Sequence, residues 1–166
     1  MDSKVKQEIE ELAGELLKYS SDVLEWNDPA DPNMIELFEQ KFHVTLPDDY
    51  KCLLSITNGF SLMGDGVLGV TDRKIKYGLF ASYEFEHFES GNPLFDYLIP
   101  FSPDGFGNFY CLDTRIATNG GASNQIVFWY HDCEYSEETP PEITYNSLAD
   151  FIKDWILGNK SEYKTI

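Results

Sequence analysis

The 166-residue sequence predicts an α+β domain, an antiparallel or mixed sheet meander with N-terminal helices and a C-terminal helix packed against it. Three observations predict it. Apolar residues recur at helical spacing through the N-terminal third and again in the last twenty residues. Between them lie short β-branched and aromatic runs bounded by Gly-, Asn- and Asp-containing turns. These runs follow one another too closely for helical crossovers, which favours antiparallel neighbours.

The elements follow in order. Val5, Ile9, Leu12, Leu16 and Leu17 form one apolar stripe, so residues 5–17 read as a helix. Residues 19–33 end in "NDPADPN" and read as a loop. Asp31 and Pro32 suit an N-cap and first helical position, and Met34, Ile35, Phe38 and Phe42 share a face of the helix that follows. In "LPDDYKCLLSITNGF", Pro47 fits a first turn that has no partner for its N–H, and Asp48 and Asp49 sit where the helix dipole favours negative charge. Tyr50, Leu53, Leu54 and Thr57 continue at helical spacing, and Asn58-Gly59 supplies a left-handed stop.

Strands are expected at 66–70, 95–102, from Phe109 to Leu112, and at 125–132. Asp104-Gly105 marks a turn between the second and third, and "NGGASN" at 119–124 a turn before the fourth. The stretch 76–88 is mixed and carries no assignment. Residues 136–144 read as a polar loop. Asn146 or Ser147 then caps a last helix, whose Leu148, Phe151, Ile152, Trp155 and Ile156 form a buried stripe before Gly158-Asn159. The whole of 1–166 reads as a single domain without repeats.

Charge is the strongest compositional signal. Asp and Glu number 29 against 12 Lys and Arg, a net charge of −17. From Tyr77 to Ile152, Arg115 is the single base. Such a field repels nucleic acid and anionic membrane and attracts basic proteins or cations. No apolar run is long enough to cross a bilayer, and the charged N-terminus lacks the apolar centre of a signal peptide. Cys52, Cys111 and Cys133, an odd and widely spaced set, give neither a disulfide framework nor a zinc pattern, so a reducing cytoplasm is expected.

Three blocks now stand in series. The first is "IELFEQKFHVTLPDDYKCLLSITNG", with Leu46, Pro47, Tyr50, Asn58 and Gly59. The second is "LIPFSPDGFGNFYCLDT", with Asp104, Gly105, Gly107 and Asp113. The third is "IVFWYHD" around Trp129, followed by "SLADFI". In this order, over about 32–157, the chain resembles the SUKH superfamily, bacterial immunity proteins that also include a yeast cell-wall synthesis regulator. The turn before Leu46-Pro47 lacks the glycine frequent in that family, and 71–95 matches no pattern of it. The resemblance implies a non-catalytic domain that binds and neutralises a cognate toxin, commonly a nuclease. It implies structural roles for the motif residues above.

Charge and resemblance meet at the partner. A nuclease grips a polyanion with a basic face, and an acidic blocker of that face is steered onto it. Two stretches mix acids with aromatics. "YEFEHFE" offers Tyr83, Glu84, Glu86 and Glu89. "YHDCEYSEE" offers Asp132, Glu134, Tyr135, Glu137 and Glu138. These are the expected contacts with a basic toxin domain, made by a monomer. Ordinary solvated edge strands or loops are the competing reading of both stretches.

Other functions find less support. Asp104, Asp113, His131 and Asp132 invite a metal site, but His131 and Asp132 are adjacent and would point to opposite faces of a strand. Asp104 is better read as a turn residue, and Asp113 as closing its strand by bonding nearby backbone. No metalloprotease, nucleophile-elbow, P-loop or dinucleotide motif is present, so no catalytic residue, metal or cofactor is expected. Cys52 lies on an apolar face with no base beside it. "NGGASN" joins two strands, whereas a phosphate cradle precedes a helix. A regulatory or scaffold module remains the alternative, but the low-complexity flanks expected of one are missing.

Overall fold

The structure is a computed structural model that describes residues 1–71, 78–115 and 123–165. Helix α1, Ser3–Leu16, is capped by Asp2, whose carboxylate accepts from the Lys4 N–H at 3.0 Å. It buries Ile9, Leu12 and Leu16. Leu17, expected in the same stripe, lies beyond the last helical residue and is exposed. Helix α2, Pro32–Phe42, starts as the sequence predicts, with the Asp31 carboxylate accepting from the Asn33 N–H at 2.9 Å and Pro32 in first position.

Helix α3, Asp48–Ile56, places Pro47 at the cap rather than in the first turn, and buries Tyr50, Leu53 and Leu54 with Thr57 just beyond its end. Its termination differs from expectation. Thr57 leaves the helix in extended conformation, φ −147°, and Gly59 takes the left-handed conformation, φ 86°, two residues later. That turn swings the chain into a strand. The Asn58 amide accepts from the Val70 N–H at 2.7 Å and donates to its carbonyl at 3.3 Å, tying the turn to the chain beyond the following hairpin.

Two antiparallel sheets follow. Strands β1, Leu24–Trp26, β2, Phe60–Leu62, and β3, Asp65–Val67, form the first in that order. The loop expected at 19–33 therefore contains a strand. Its Leu24 and Trp26 face inward and Glu25 outward, a pattern too short to stand out beside the prolines of that stretch. The strand expected at 66–70 starts one residue earlier and ends at Val67. Strands β4, Leu98–Pro103, β5, Phe109–Asp113, β6, Ile126–Trp129, and β7, Glu142–Tyr145, form the second sheet as a simple meander. The two sheets meet where the Leu68 N–H donates to the Phe101 carbonyl at 2.8 Å and the Ser102 hydroxyl to Gly66 O.

Three further boundaries differ from the sequence reading. Residues 95–97 precede β4, and β6 ends at Trp129 rather than 132. Strand β7 takes the last three residues of the expected polar loop, and because Glu142, Ile143 and Thr144 are all exposed it leaves no apolar signature in the sequence. The turn expected at 119–124 falls mostly outside the described residues.

Helix α4, Leu79–Glu84, runs on into a π-helical turn, Phe85–Glu89, in the stretch that carried no assignment. Helix α5, Leu148–Phe151, is capped by the Ser147 hydroxyl, which accepts from Asp150 N–H at 3.0 Å, and likewise continues as a π turn, Ile152–Ile156. Asn159 is left-handed just after it, φ 61°.

The second sheet is covered on both faces. Ile99, Phe101, Tyr110, Leu112 and Ile126 point into the main core with the helices, while Leu98, Cys111, Val127 and Trp129 form a second cluster beneath Leu94, Phe95, Tyr97 and Tyr135. This alternation along β5 is the two-residue period of a strand. In the main core, Phe38 of α2 meets Phe80 at 5.1 Å and Tyr83 at 5.4 Å, both edge-on, which sets the rotation of α4.

Two glycines distinguish clash from conformation. A Cβ on Gly59 would stand 2.7 Å from Val67 O and from Gly69 N, whereas one on Gly105, also at positive φ, would meet nothing within 4 Å. Gly105→Ala is expected to cost about 1–2 kcal/mol, the left-handed penalty alone. Gly59→Ala is expected to cost clearly more. Urea unfolding midpoints of the two variants check the order.

Candidate partner-binding surface

The period of the chain decides which side chains of 83–89 reach solvent. On a strand, Tyr83, Phe85, His87 and Glu89 would share one face and Glu84, Glu86 and Phe88 the other. On the helix, Tyr83, Glu86 and His87 turn inward, and Phe85, Phe88 and Glu89 turn outward. Tyr83 is 4% exposed in the aromatic cluster with Phe38 and Phe42, and Glu86 is 8% exposed. Both are thereby removed from the expected contact set. His87 stacks on Tyr83 at 3.9 Å and its Nε2 lies 2.9 Å from Leu98 O. Glu84 is half-buried and ion-paired with Lys41. Glu89 is exposed.

The second stretch begins where β6 ends. Tyr135 does not face outward either. It packs on Trp129 at 4.5 Å, and its hydroxyl accepts from the Tyr130 N–H at 3.1 Å, so it closes the second core cluster. Asp132, Glu134, Glu137 and Glu138 are all exposed. Asn92 brings the two stretches together, its amide donating to His131 O at 3.2 Å and Cys133 O at 2.6 Å.

The β4–β5 hairpin joins the same region. Asp104 accepts from the Phe106 N–H at 2.8 Å and the Asn108 N–H at 3.0 Å, with Gly105 and Gly107 at positive φ. Asn108 Oδ1 accepts in turn from the His131 N–H at 3.1 Å. His131 and Asp132 stand in a turn past the strand, so the argument that they point to opposite faces of a strand does not apply. Phe106 at the hairpin tip is 83% exposed. Phe85, Phe88, Phe106 and Tyr130 are thus exposed aromatics of this region; Phe85, Phe88 and Tyr130 lie within the expected contact stretches but were not singled out in them, and Phe106 lies outside both. A helical reading of 79–89 would have found the first two.

The cations of the chain serve mainly other acids. Lys6, Lys18, Lys51, Lys153, Lys160 and Lys164 pair with Glu10, Glu15, Glu39, Glu8, Asp65 and again Glu15. Between residues 77 and 152, only Glu84 and Asp113 have a cationic partner among the described residues. Exposed pairs of this kind add little stability. Their importance here is where they leave negative charge uncompensated.

Burial raises the Glu86 carboxyl above the usual carboxylate range, opposed by the charge of His131. Burial also raises the Cys52 and Cys111 thiols, which disfavours the thiolate a nucleophile needs. Among the described residues no group of three or more His, Cys, Asp or Glu is placed to hold a metal. No helix among them is long and apolar enough to cross a membrane.

Other motif residues are held by packing and hydrogen bonds. Tyr50 is buried and its hydroxyl donates to Leu68 O at 2.5 Å. Asp113, also buried, accepts from the Arg115 N–H at 3.0 Å and binds its guanidinium, which lies 4.1 Å over Tyr97. Leu46, Pro47 and Asp113 line a cavity of about 680 Å³ together with Asp49, whose buried carboxyl is raised above its ordinary range by desolvation.

The model of the SMI1 / KNR4 family (SUKH-1) matches residues 29–154. Among solved structures, a protein from Pseudomonas syringae pv. tomato is similar in fold, with a TM-score of 0.61 and 17% identity over 87% of this chain and 96% of that one. No curated protein matches the chain.

Glu86 gives a pH prediction. Its folded pKa is raised, so the folded state binds the proton more tightly and stability falls as pH rises from the unfolded carboxylate range through the folded pKa. Glu86→Gln removes that loss. Its melting temperature is expected above that of the wild type at pH 7, by roughly 2–4 °C per kcal/mol recovered for a domain of this size, with the gap closing toward pH 4. Thermal unfolding followed across pH 4–8 measures it.

Proposed function

The chain belongs to the SMI1 / KNR4 family (SUKH-1), and on that premise we propose that it is an immunity protein, which binds a cognate bacterial toxin in the cytoplasm and neutralises it. The toxin in this reading carries a basic nuclease domain, and the protein blocks its substrate-binding face without catalysing a reaction. The protein acts as a single-domain monomer and needs no cofactor.

One observation carries the charge-based part of the reading. Glu89, Asp132, Glu134, Glu137 and Glu138 are exposed and have no cationic partner among the described residues, while Lys6, Lys18, Lys41, Lys51, Lys153, Lys160 and Lys164 each pair with another acid. Uncompensated carboxylates on segments tied together by Asn92 are what a basic face would meet. A nuclease poised to bind phosphates presents the opposite charge, and steering of this kind raises association to about 10⁸–10⁹ M⁻¹s⁻¹ at low salt. Fast capture matters for an inhibitor that must arrive before the first cut.

Co-expression tests it. The toxin gene beside the one encoding this chain, expressed alone, is expected to stop growth, and co-expression of this chain to restore it. The Glu134→Gln/Glu137→Gln/Glu138→Gln variant is expected to restore growth less well, with an association rate lowered about tenfold or more at low salt and little change in thermal stability. Rescue with undiminished association by this variant would remove the role of these acids. Absence of rescue by the wild type, with several partners of moderate affinity instead, would favour a scaffold.

A further inference from the structure

Phe85 and Phe88 stand three residues apart on the outer face of one helical segment, 52% and 71% exposed, while Glu86 on the same segment is 8% exposed. Sorting by solvent alone would do the reverse, burying phenyl rings and exposing the carboxylate. The arrangement is firmly held. Phe88 lies against Phe42 at 6.4 Å, with Tyr83 and His87 also beside it. Beneath them, Phe42 and Tyr83 are packed at 4.3 Å. The π turn ends with the Ser90 N–H donating to Phe85 O at 2.8 Å. These rings sit on a packed helix and not on a loose loop.

We infer that Phe85 and Phe88 are the aromatic anchors of the partner interface, seated in an apolar recess on a basic protein, with Glu89, Asp132 and Glu134 as its acidic rim. The inference rests on the immunity reading and adds to it the side chains that supply the dwell time. Charge selects the occupant. A second copy of this chain carries the same −17 and is repelled, and so is an anionic membrane. Among the described residues, Lys41 beside the patch is engaged by Glu84, with its ammonium 5.0 Å over the Phe42 ring. Glu89, next to Phe88 in the chain, is exposed and negative. Rigid exposed aromatics backed by a packed core, within an acidic surround, match the anchor-and-rim anatomy of protein interfaces.

The probe is a catalytically inactivated form of the toxin encoded beside this chain's gene, immobilised for kinetic binding measurements. Phe85→Ala/Phe88→Ala is expected to weaken binding by about 30-fold or more, the size of a hot spot, chiefly through faster dissociation, with the association rate changed by about threefold or less. Phe88→Lys is expected to weaken it further, since it sets a cation against a basic partner. Met63→Ala, an exposed apolar side chain on the β2–β3 turn, is expected to bind as the wild type does. Melting temperatures and sedimentation of each variant verify folding and mass. If the wild type rescues growth and the double variant binds equally tightly, the anchors are wrong and the immunity reading stands. If the wild type neither binds nor rescues, that reading fails and the anchors with it. A wild type that sediments as a dimer, with the double variant a monomer, would make a second copy the occupant and overturn the proposal.

Discussion

The packing of Phe38 and Phe42 against Phe80 and Tyr83 is the contact on which the functional geometry depends. Ring centroids 4.3–5.8 Å apart lock α2 to α4 and leave α4 no freedom to rotate. Once Tyr83 is turned inward, the helical period fixes everything after it. Glu86 and His87 follow it toward the core, and Phe85, Phe88 and Glu89 are left outside. A rotation of one residue would bury a phenylalanine and release the carboxylate. The cluster therefore trades local solvation for a fixed outer face.

A second constraint is the distribution of cations. Lys153, Lys160 and Lys164 lie near the end of the chain, yet their partners are Glu8, Asp65 and Glu15. The closing helix and the turns after it return over the N-terminal half, so its positive charge neutralises that half. The acids around Asp132 and Glu138 receive none among the described residues. Chain topology, as much as composition, thus concentrates the field on one part of the surface.

The fold class was legible because its long elements carry clear periods. Asp31-Pro32 announced the start of α2, and the β4–β5 hairpin followed from Asp104-Gly105. Short or exposed elements were not legible. Strand β1 alternates Leu24 and Trp26 inward with Glu25 outward, but three residues within a Pro- and Asp-rich stretch are too few to outweigh the loop signal; β7 presents Glu142, Ile143 and Thr144 to solvent and shows no apolar face. Which side chains of the two proposed contact segments reach solvent was not legible. An acidic–aromatic alternation such as 83–89 reads differently on a strand and on a helix, and tertiary packing against α2 settled it. Tyr135 misled for another reason: nothing local indicates that a loop tyrosine folds back over Trp129.

The proposed role of this molecule, an acidic shape that captures a basic protein, is tested most directly by the salt dependence of capture. The association rate of this chain with the inactivated toxin, followed from about 20 mM to 1 M salt, is expected to fall steeply, since the screening length contracts to about 3 Å at 1 M. Dissociation, if the proposed ring anchors hold the complex, should change little. An association rate that stays flat across that range would contradict the account.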